Sequence, residues 1–370
     1  MTGSIRIAAP LRLWALVCLA AVCSLPAAAR AAAPRIGHVF LIVLENQPYH
    51  ATFDRRSQAP YLAHTLPRQG ALLTQYYGIG HYSLDNYIAM ISGQAPNADT
   101  QQDCPIYRDF VAEGAVDADG QLPGRGCVYP ASVPTIADRL EAKGLGWKGY
   151  MEDMGKDPQR ESSTCGHAAI GAPDNTERAT AKDQYAAKHD PFVYFHSIID
   201  NAERCGSHVV NLDALPADLA QVATTPSFAF ITPNLCHDGH DAQCASGKRG
   251  GLPAVDAFLR HWVPRILASP AYRKDGLLVI TFDEGLTGEA CCGEKGLPGG
   301  PPPGQFGPGG GRVGAVLLSP FIRPGTVSHA PYNHYSLLRS IAGYFGVEAP
   351  GFAGAAGLEP FGDDVFGGHR

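Results

Sequence analysis

Three apolar runs place the tightest constraint on the fold. Gly37 to Leu44, Ser227 to Thr232 and Leu277 to Phe282 are dominated by consecutive apolar residues rather than alternating. A strand without alternation is one buried on both faces, as in a parallel sheet covered by helices. Each run gives way to polar residues: Glu45-Asn46 after the first, the segment Pro233 to Asp241 with His237, Asp238, His240 and Asp241 after the second, and Asp283-Glu284 after the third. Parallel strands share a C-terminal edge, where ligands bind in open α/β sheets, so the three endings are expected to meet. One polar pair at a strand end is equally well a solvated terminus; three such endings together are not.

Between these runs the period changes. Leu84, Tyr87, Ile88 and Ile91 follow the i, i+3, i+4, i+7 spacing of an amphipathic helix, with Gly93 as its stop. Further helices are expected at Ala59 to Arg68, Thr135 to Lys143, Pro191 to Asp200, Pro253 to Ala268 and Asn333 to Phe345. Further strands are expected at Leu72 to Tyr77, Trp147 to Met151 and Val313 to Leu318. The alternation predicts an α/β fold, a mainly parallel sheet with helices on both faces. No internal repeat interrupts it. The reading is one domain over residues 35–370 with loop insertions near 97–134 and 285–311, the latter the densest stretch of the chain's 43 glycines and 30 prolines.

Ser83 falls at the start of the Leu84 helix. A hydroxyl there faces unpaired N–H groups and the positive end of the helix dipole, which favour a phosphate oxygen or an alkoxide. Serine is also a preferred N-cap, so this position alone does not separate a nucleophile from a cap. The carboxylates weigh on the functional side. Several of them packed together would have strongly raised pKa values, and a divalent cation resolves the conflict. Oxygen donors with a few histidines suit magnesium, calcium, manganese or zinc, and the sequence does not choose among them. The expected metal set is Glu45, Asn46, Ser83, Asp238, Asp283 and Glu284. The expected catalytic set is Ser83 as nucleophile, Asn86 as amide donor to a phosphate oxygen, and His240 and His334 as metal, oxyanion or leaving-group partners.

Several classes are excluded or disfavoured. Gly80-His81-Tyr82-Ser83-Leu84 is not a G-x-S-x-G nucleophile elbow, and no P-loop is present. A net charge of −6 without a basic run argues against nucleic acid as a partner. Arg6 and Arg12 with the apolar stretch Leu11 to Leu25, then Pro26 and an alanine-rich segment, form a secretory signal over residues 1–31, so export and a mature start near Ala32 to Arg35 are expected. No later stretch has the length of a membrane span. Of the ten cysteines, Cys18 and Cys23 lie in the leader. The other eight suggest disulfides in an exported chain, and nearest-neighbour pairing gives Cys104–Cys127, Cys165–Cys205, Cys236–Cys244 and Cys291–Cys292. Sequence alone leaves the pairing open; a zinc cluster is the weaker alternative because paired C-x2-C spacing is lacking.

Taken together, HVFLIVLENQ (38–47), GHYSLDNYIAMISG (80–93), FITPNLCHDGHD (230–241), LLVITFDEG (277–285), GGGRVGAVLLSPFIRPGT (309–326) and YNHYSLLRSI (332–341) resemble the secreted bacterial acid phosphatase and phospholipase C family of phosphoesterases, a branch of the alkaline phosphatase superfamily. The resemblance implies an α/β/α sandwich and hydrolysis of phosphate esters through a phosphoserine. The implied substrate is a phosphorylated small molecule or a phospholipid. By position it assigns Ser83 as nucleophile, places Glu45, Asn46, Asp283 and Glu284 around the metal, and matches Asp238, His240, His334 and Asn86 to family motif residues. Tyr82 and Asp85 stand where the family usually has prolines. A phosphomonoesterase is the first expectation, a phospholipase C type diesterase the second, and a non-catalytic calcium-binding protein the alternative of another class. Oligomeric state is not legible.

Overall fold

All seven residues of strand β1 (His38–Leu44) are buried. Successive side chains of a strand point to opposite faces, so both faces of the sheet are covered here. The computed structural model describes residues 1–4, 35–305 and 307–367. The expected leader, with Cys18 and Cys23, therefore lies outside the described residues apart from its first four. Residues Ala33–Arg370 form one compact unit.

The remaining strands of the main sheet are β2 (Ala71–Leu73), β3 (Trp147–Met151), β4 (Val209–Asn211), β5 (Phe228–Thr232), β6 (Gly276–Phe282), β7 (Ala315–Leu318) and β8 (Thr326–Ser328). Their spatial order is β8-β2-β7-β6-β1-β5-β3-β4. Strands β4, β3, β5, β1 and β6 are mutually parallel, and β7 runs antiparallel to both β6 and β2. The mainly parallel α/β sheet expected from the apolar runs is what the chain forms. The first three runs become adjacent strands, β1 between β5 and β6, with Leu44 level with Phe282 and Ile42 with Ile231.

Two groups of helices supply the cover. Helix α1 (Ser83–Ser92), α2 (Ile136–Ala142) and α5 (His334–Phe345) pack together, while α3 (Gly251–Ala268), α4 (Pro270–Asp275) and the turn Tyr61–Thr65 form the other group. Helix α2 opens on a capping box in which Thr135 and Asp138 each bond the other's backbone N–H. Helices α1 and α5 both close on left-handed glycines, Gly93 and Gly346.

Three elements differ from expectation. The helix expected from Ala59 to Arg68 is one wide turn, in which Leu66 N–H donates to Tyr61 O. Asp256 of α3 accepts from the Tyr61 and Leu62 N–H groups, and Pro67 has no N–H with which to extend the turn. The strand expected from Leu72 to Tyr77 divides because Thr74 N–H follows Ser328, whereas Tyr76 pairs with Tyr332 in a separate ladder. The Pro191 to Asp200 helix breaks at extended Phe195, flanked by Tyr129 N–H to Tyr194 O and His196 N–H to Tyr129 O. The four nearest-neighbour disulfides form. No helix among the described residues is long and apolar enough to cross a membrane.

Candidate active site

The endings of β1, β5 and β6 meet through their backbones. Glu45 N–H donates to Asp238 O at 2.8 Å, Asp283 N–H to Leu44 O at 2.9 Å, and Asn46 N–H to Asp283 Oδ1 at 2.9 Å. Asn46 holds φ at 57°, a left-handed conformation that asparagine tolerates better than most residues. The sheet thus delivers Glu45, Asp238 and Asp283 to one place, all fully buried.

His189 joins them from outside the sheet. Its Nε2 lies 3.5 Å from Glu45 Oε2 and its Nδ1 lies 3.9 Å from Asp238 Oδ2. The segment carrying it is pinned by Arg160, whose guanidinium pairs with Asp183 at 2.9 Å and donates to the Tyr185 carbonyl. The His189 ring stacks on Tyr87 of α1 at 5.1 Å between centroids. This histidine is absent from the expected site because it follows no strand; Lys188-His189-Asp190 precedes a short helical turn in a weakly patterned stretch.

The cluster is electrostatically frustrated. Burial and then the Glu45 charge push Asp238 up to about 7. Burial and the same charge hold Asp283 well above the usual carboxylate range. Burial also raises Glu45, but the nearby His189 charge, contact with Asp283 and the bond from His240 outweigh it and leave Glu45 well below that range. Glu45 Oε1, Asp238 Oδ2, Asp283 Oδ2 and both His189 ring nitrogens are buried without a hydrogen-bond partner. Single donor atoms of Glu45, His189 and Asp238 lie within 4.8 Å of one another. Buried polar atoms are normally partnered, so orphaned oxygens and nitrogens in this donor set fit a divalent cation.

Beside the cluster lies a cleft of about 300 Å³ lined by Ser83, Asn46, His240, Glu284, Lys188 and Asp103, among others. Ser83 is the first residue of α1 rather than its N-cap. Tyr82 occupies the cap with φ 116° and ψ 142° and makes no side-chain cap bond. The Leu84 N–H is satisfied instead by Asp103 Oδ1 at 3.0 Å. The capping explanation of Ser83 therefore loses its basis. The φ of Tyr82 also explains one departure from the family pattern, since a proline ring fixes φ near −65° and does not fit this backbone. At the other departure, Asp85 is fully buried, and burial with the charges of Glu284 and Asp103 raises its pKa well above the usual range.

His240 Nδ1 bonds Glu45 Oε2 at 3.1 Å, and that bond, against partial burial, lifts the imidazole to about 9. Glu284 reaches the cleft with Oε2 engaged by Tyr82 N–H at 2.7 Å and by His81 Nδ1 at 3.2 Å. Lys188 and Asp103 were not expected here. Lys188 Nζ lies 2.8 Å from Asp103 Oδ2, with the two side chains only 13% and 15% exposed. Burial opposes the lysine's charge, but Asp103, Glu45 and Asp238 outweigh it and raise its pKa. Asp103 precedes Cys104 of the Cys104–Cys127 disulfide, a placement that tertiary structure alone reveals.

Two expected catalytic residues are hydrogen-bonded within the protein. Asn86 was expected to donate to a phosphate oxygen, but its amide donates to Gly80 O, Tyr82 O and Asp85 Oδ1, and its carbonyl accepts from Ile79 and Gly80 N–H. It braces the loop that presents Ser83. A Cβ at Gly80 would lie 2.4 Å from Asp85 Oδ1 and would displace that carboxylate. His334 is fully buried, its Nε2 donates to the Asp283 carbonyl at 2.5 Å, and its Nδ1 lies 3.0 Å from Tyr76 Oη. Burial pushes it down to about 4, so it is neutral and holds the Asp283 backbone.

The profile of the Phosphoesterase family matches residues 49–348. The chain is 26% identical over 289 residues to an acid phosphatase of Aspergillus fumigatus, covering 77% of this chain and 51% of that one. It is 29% identical over 289 residues to a phosphate-repressible acid phosphatase of Penicillium chrysogenum, covering 77% and 54%. The chain thus spans about half the length of these curated relatives. A phosphatidylinositol-3-phosphatase of Mycobacterium tuberculosis is 24% identical over 325 residues, covering 88% of this chain and 82% of that one. Among solved structures, an alkaline phosphatase superfamily protein from Vibrio parahaemolyticus aligns with TM-score 0.48 and 13% identity over 90% of this chain and 72% of that one.

Proposed function

We propose that this chain, which belongs to the Phosphoesterase family, is an exported, metal-dependent phosphomonoesterase with Ser83 as its nucleophile. The observation that carries the reading is Ser83 itself: it opens a buried helix, is not its cap, and lines the cleft with His240 and Lys188. The phosphatase names of the relatives support the ester class, and the four disulfides support an oxidising compartment.

Glu45, His189, Asp238 and Asp283 would hold the cation. Bound there, a divalent ion supplies positive charge that eases loss of the Ser83 proton and offsets charge on the phosphoryl oxygens. The N-terminus of α1 and the Lys188 ammonium orient those oxygens. Ser83 Oγ releases its proton to cleft water and attacks phosphorus; the Oγ–P bond forms and the bond from phosphorus to the ester oxygen breaks. His240 gives its proton to the departing oxygen and recovers one from the water that next attacks phosphoserine. Inorganic phosphate leaves, and Ser83 Oγ takes a proton back from cleft water, which restores its hydroxyl.

The test is phosphate release from a simple monoester and a matched diester, with and without chelator, by the protein and by Ser83→Ala. Monoester turnover lost with chelator and in the variant is the expected result. Turnover of the diester alone moves the assignment to a phospholipase C type reaction. Full activity in Ser83→Ala refutes the nucleophile, and no turnover of either ester favours a non-catalytic calcium-binding protein.

A further inference from the structure

A second cavity, of about 530 Å³, opens beside the catalytic cleft, and His240 lines both. Its wall carries Arg56, Arg249 and His50, with Asp54 as its one carboxylate. Asp54 Oδ1 is engaged by the backbone N–H of Arg56 at 2.8 Å. The Arg249 guanidinium is steadied by Gln58 Oε1, a neutral acceptor that leaves its charge uncompensated. Neither Arg56 nor Arg249 makes an ion pair among the described residues, although acids outnumber Lys and Arg by 35 to 29 over the whole chain. Two guanidiniums without an ion-pair partner against a single carboxylate match phosphate or carboxylate, which arginine binds through paired N–H donors.

We propose that this groove is a leaving-group subsite for a second anionic group, so that the preferred substrates are phosphate monoesters whose alcohol carries another phosphate or a carboxylate. The inference rests on the phosphomonoesterase reading and names its substrate class. His240 sits where the two cavities join, so an ester spanning both places its scissile oxygen beside the proposed acid while its distal anion reaches Arg249 and Arg56. A neutral alcohol gains nothing from those guanidiniums.

The experiment compares kcat/KM of the metal-loaded protein for hexyl phosphate and hexanediol bisphosphate, which differ in the distal phosphate. The expected preference for the bisphosphate is about 10- to 100-fold, the range of one charge-assisted hydrogen bond that survives desolvation. Arg56→Ala with Arg249→Ala removes that preference and leaves hexyl phosphate turnover unchanged; Arg249→Glu reverses the preference. Both sites are exposed, and thermal unfolding of each variant verifies that the fold is kept. Equal turnover of the two esters by the parent protein, or a preference that survives in the double variant, overturns the subsite alone. Turnover of neither ester overturns the subsite together with the reading on which it rests.

Discussion

Asp103 joins helix capping to the cationic side of the cleft. Its Oδ1 accepts the Leu84 N–H at 3.0 Å and its Oδ2 lies 2.8 Å from Lys188 Nζ. Asp103→Asn keeps an oxygen for the cap and removes the charge that holds the lysine. The pair is mostly buried, at 13% and 15% side-chain exposure, and a charge-assisted bond in such a place is worth about 1.5–3 kcal/mol. Asp103→Ala also loses the cap, for about 1 kcal/mol more. The expected losses are therefore about 1.5–3 kcal/mol for Asn and about 2.5–4 kcal/mol for Ala, read from denaturant unfolding. A double-mutant cycle of Asp103→Asn with Lys188→Met isolates the pair, with an expected coupling above about 1 kcal/mol. Turnover should fall in both singles, because Lys188→Met removes the ammonium and Asp103→Asn leaves it without the tether that holds it at the cleft. Stabilities that add within about 0.5 kcal/mol would refute the coupling. Equal stability of the Asn and Ala variants would refute the cap.

Three further outcomes follow from the geometry. Tyr82 is held at φ 116°, so Tyr82→Gly should raise stability by about 1 kcal/mol, whereas Tyr82→Pro should lower it by about 3 kcal/mol or more by forbidding that φ and removing the N–H given to Glu284; denaturant midpoints decide. Burial and the hydrogen bond with Asp183 lift Glu161 to about 8, so the folded state keeps a proton that the unfolded chain has lost. Its contribution is therefore complete below the ordinary carboxylate range and is lost as pH rises toward 8. Glu161→Gln should gain in Tm over the parent at pH 9 and show no gain at pH 4. Orphaned donors at Glu45, His189, Asp238 and Asp283 predict that a chelator lowers Tm and that a divalent cation at a hundredfold excess over its Kd restores about 2.7 kcal/mol; a Tm indifferent to both would contradict the cation site.

Much of this site was legible because the sheet itself builds it. Glu45, Asp238 and Asp283 follow buried runs, and parallel strands bring such endings together whatever the loops do. His189, Lys188 and Asp103 were not legible because no strand carries them. Arg160 and the Cys104–Cys127 disulfide set their positions, and these are contacts between residues far apart in sequence. Asn86 and His334 were named from the sequence, the first as a donor to phosphate and the second as a metal, oxyanion or leaving-group partner, but spacing does not show how their polar atoms are used. Both are fully buried, with Asn86 bonded to the loop backbone and Asp85 beside Ser83, and His334 to the Asp283 carbonyl and the Tyr76 hydroxyl.

The central claim is that phosphate passes through Ser83. The direct measurement is to mix enzyme and monoester, quench the reaction in acid within one turnover, and map phosphate on the digested chain by mass spectrometry. The account predicts phosphate on the peptide containing Ser83, at up to one per active chain, and none in Ser83→Ala. Turnover of the ester with no phosphopeptide, with the label on another residue, or undiminished in Ser83→Ala would contradict it.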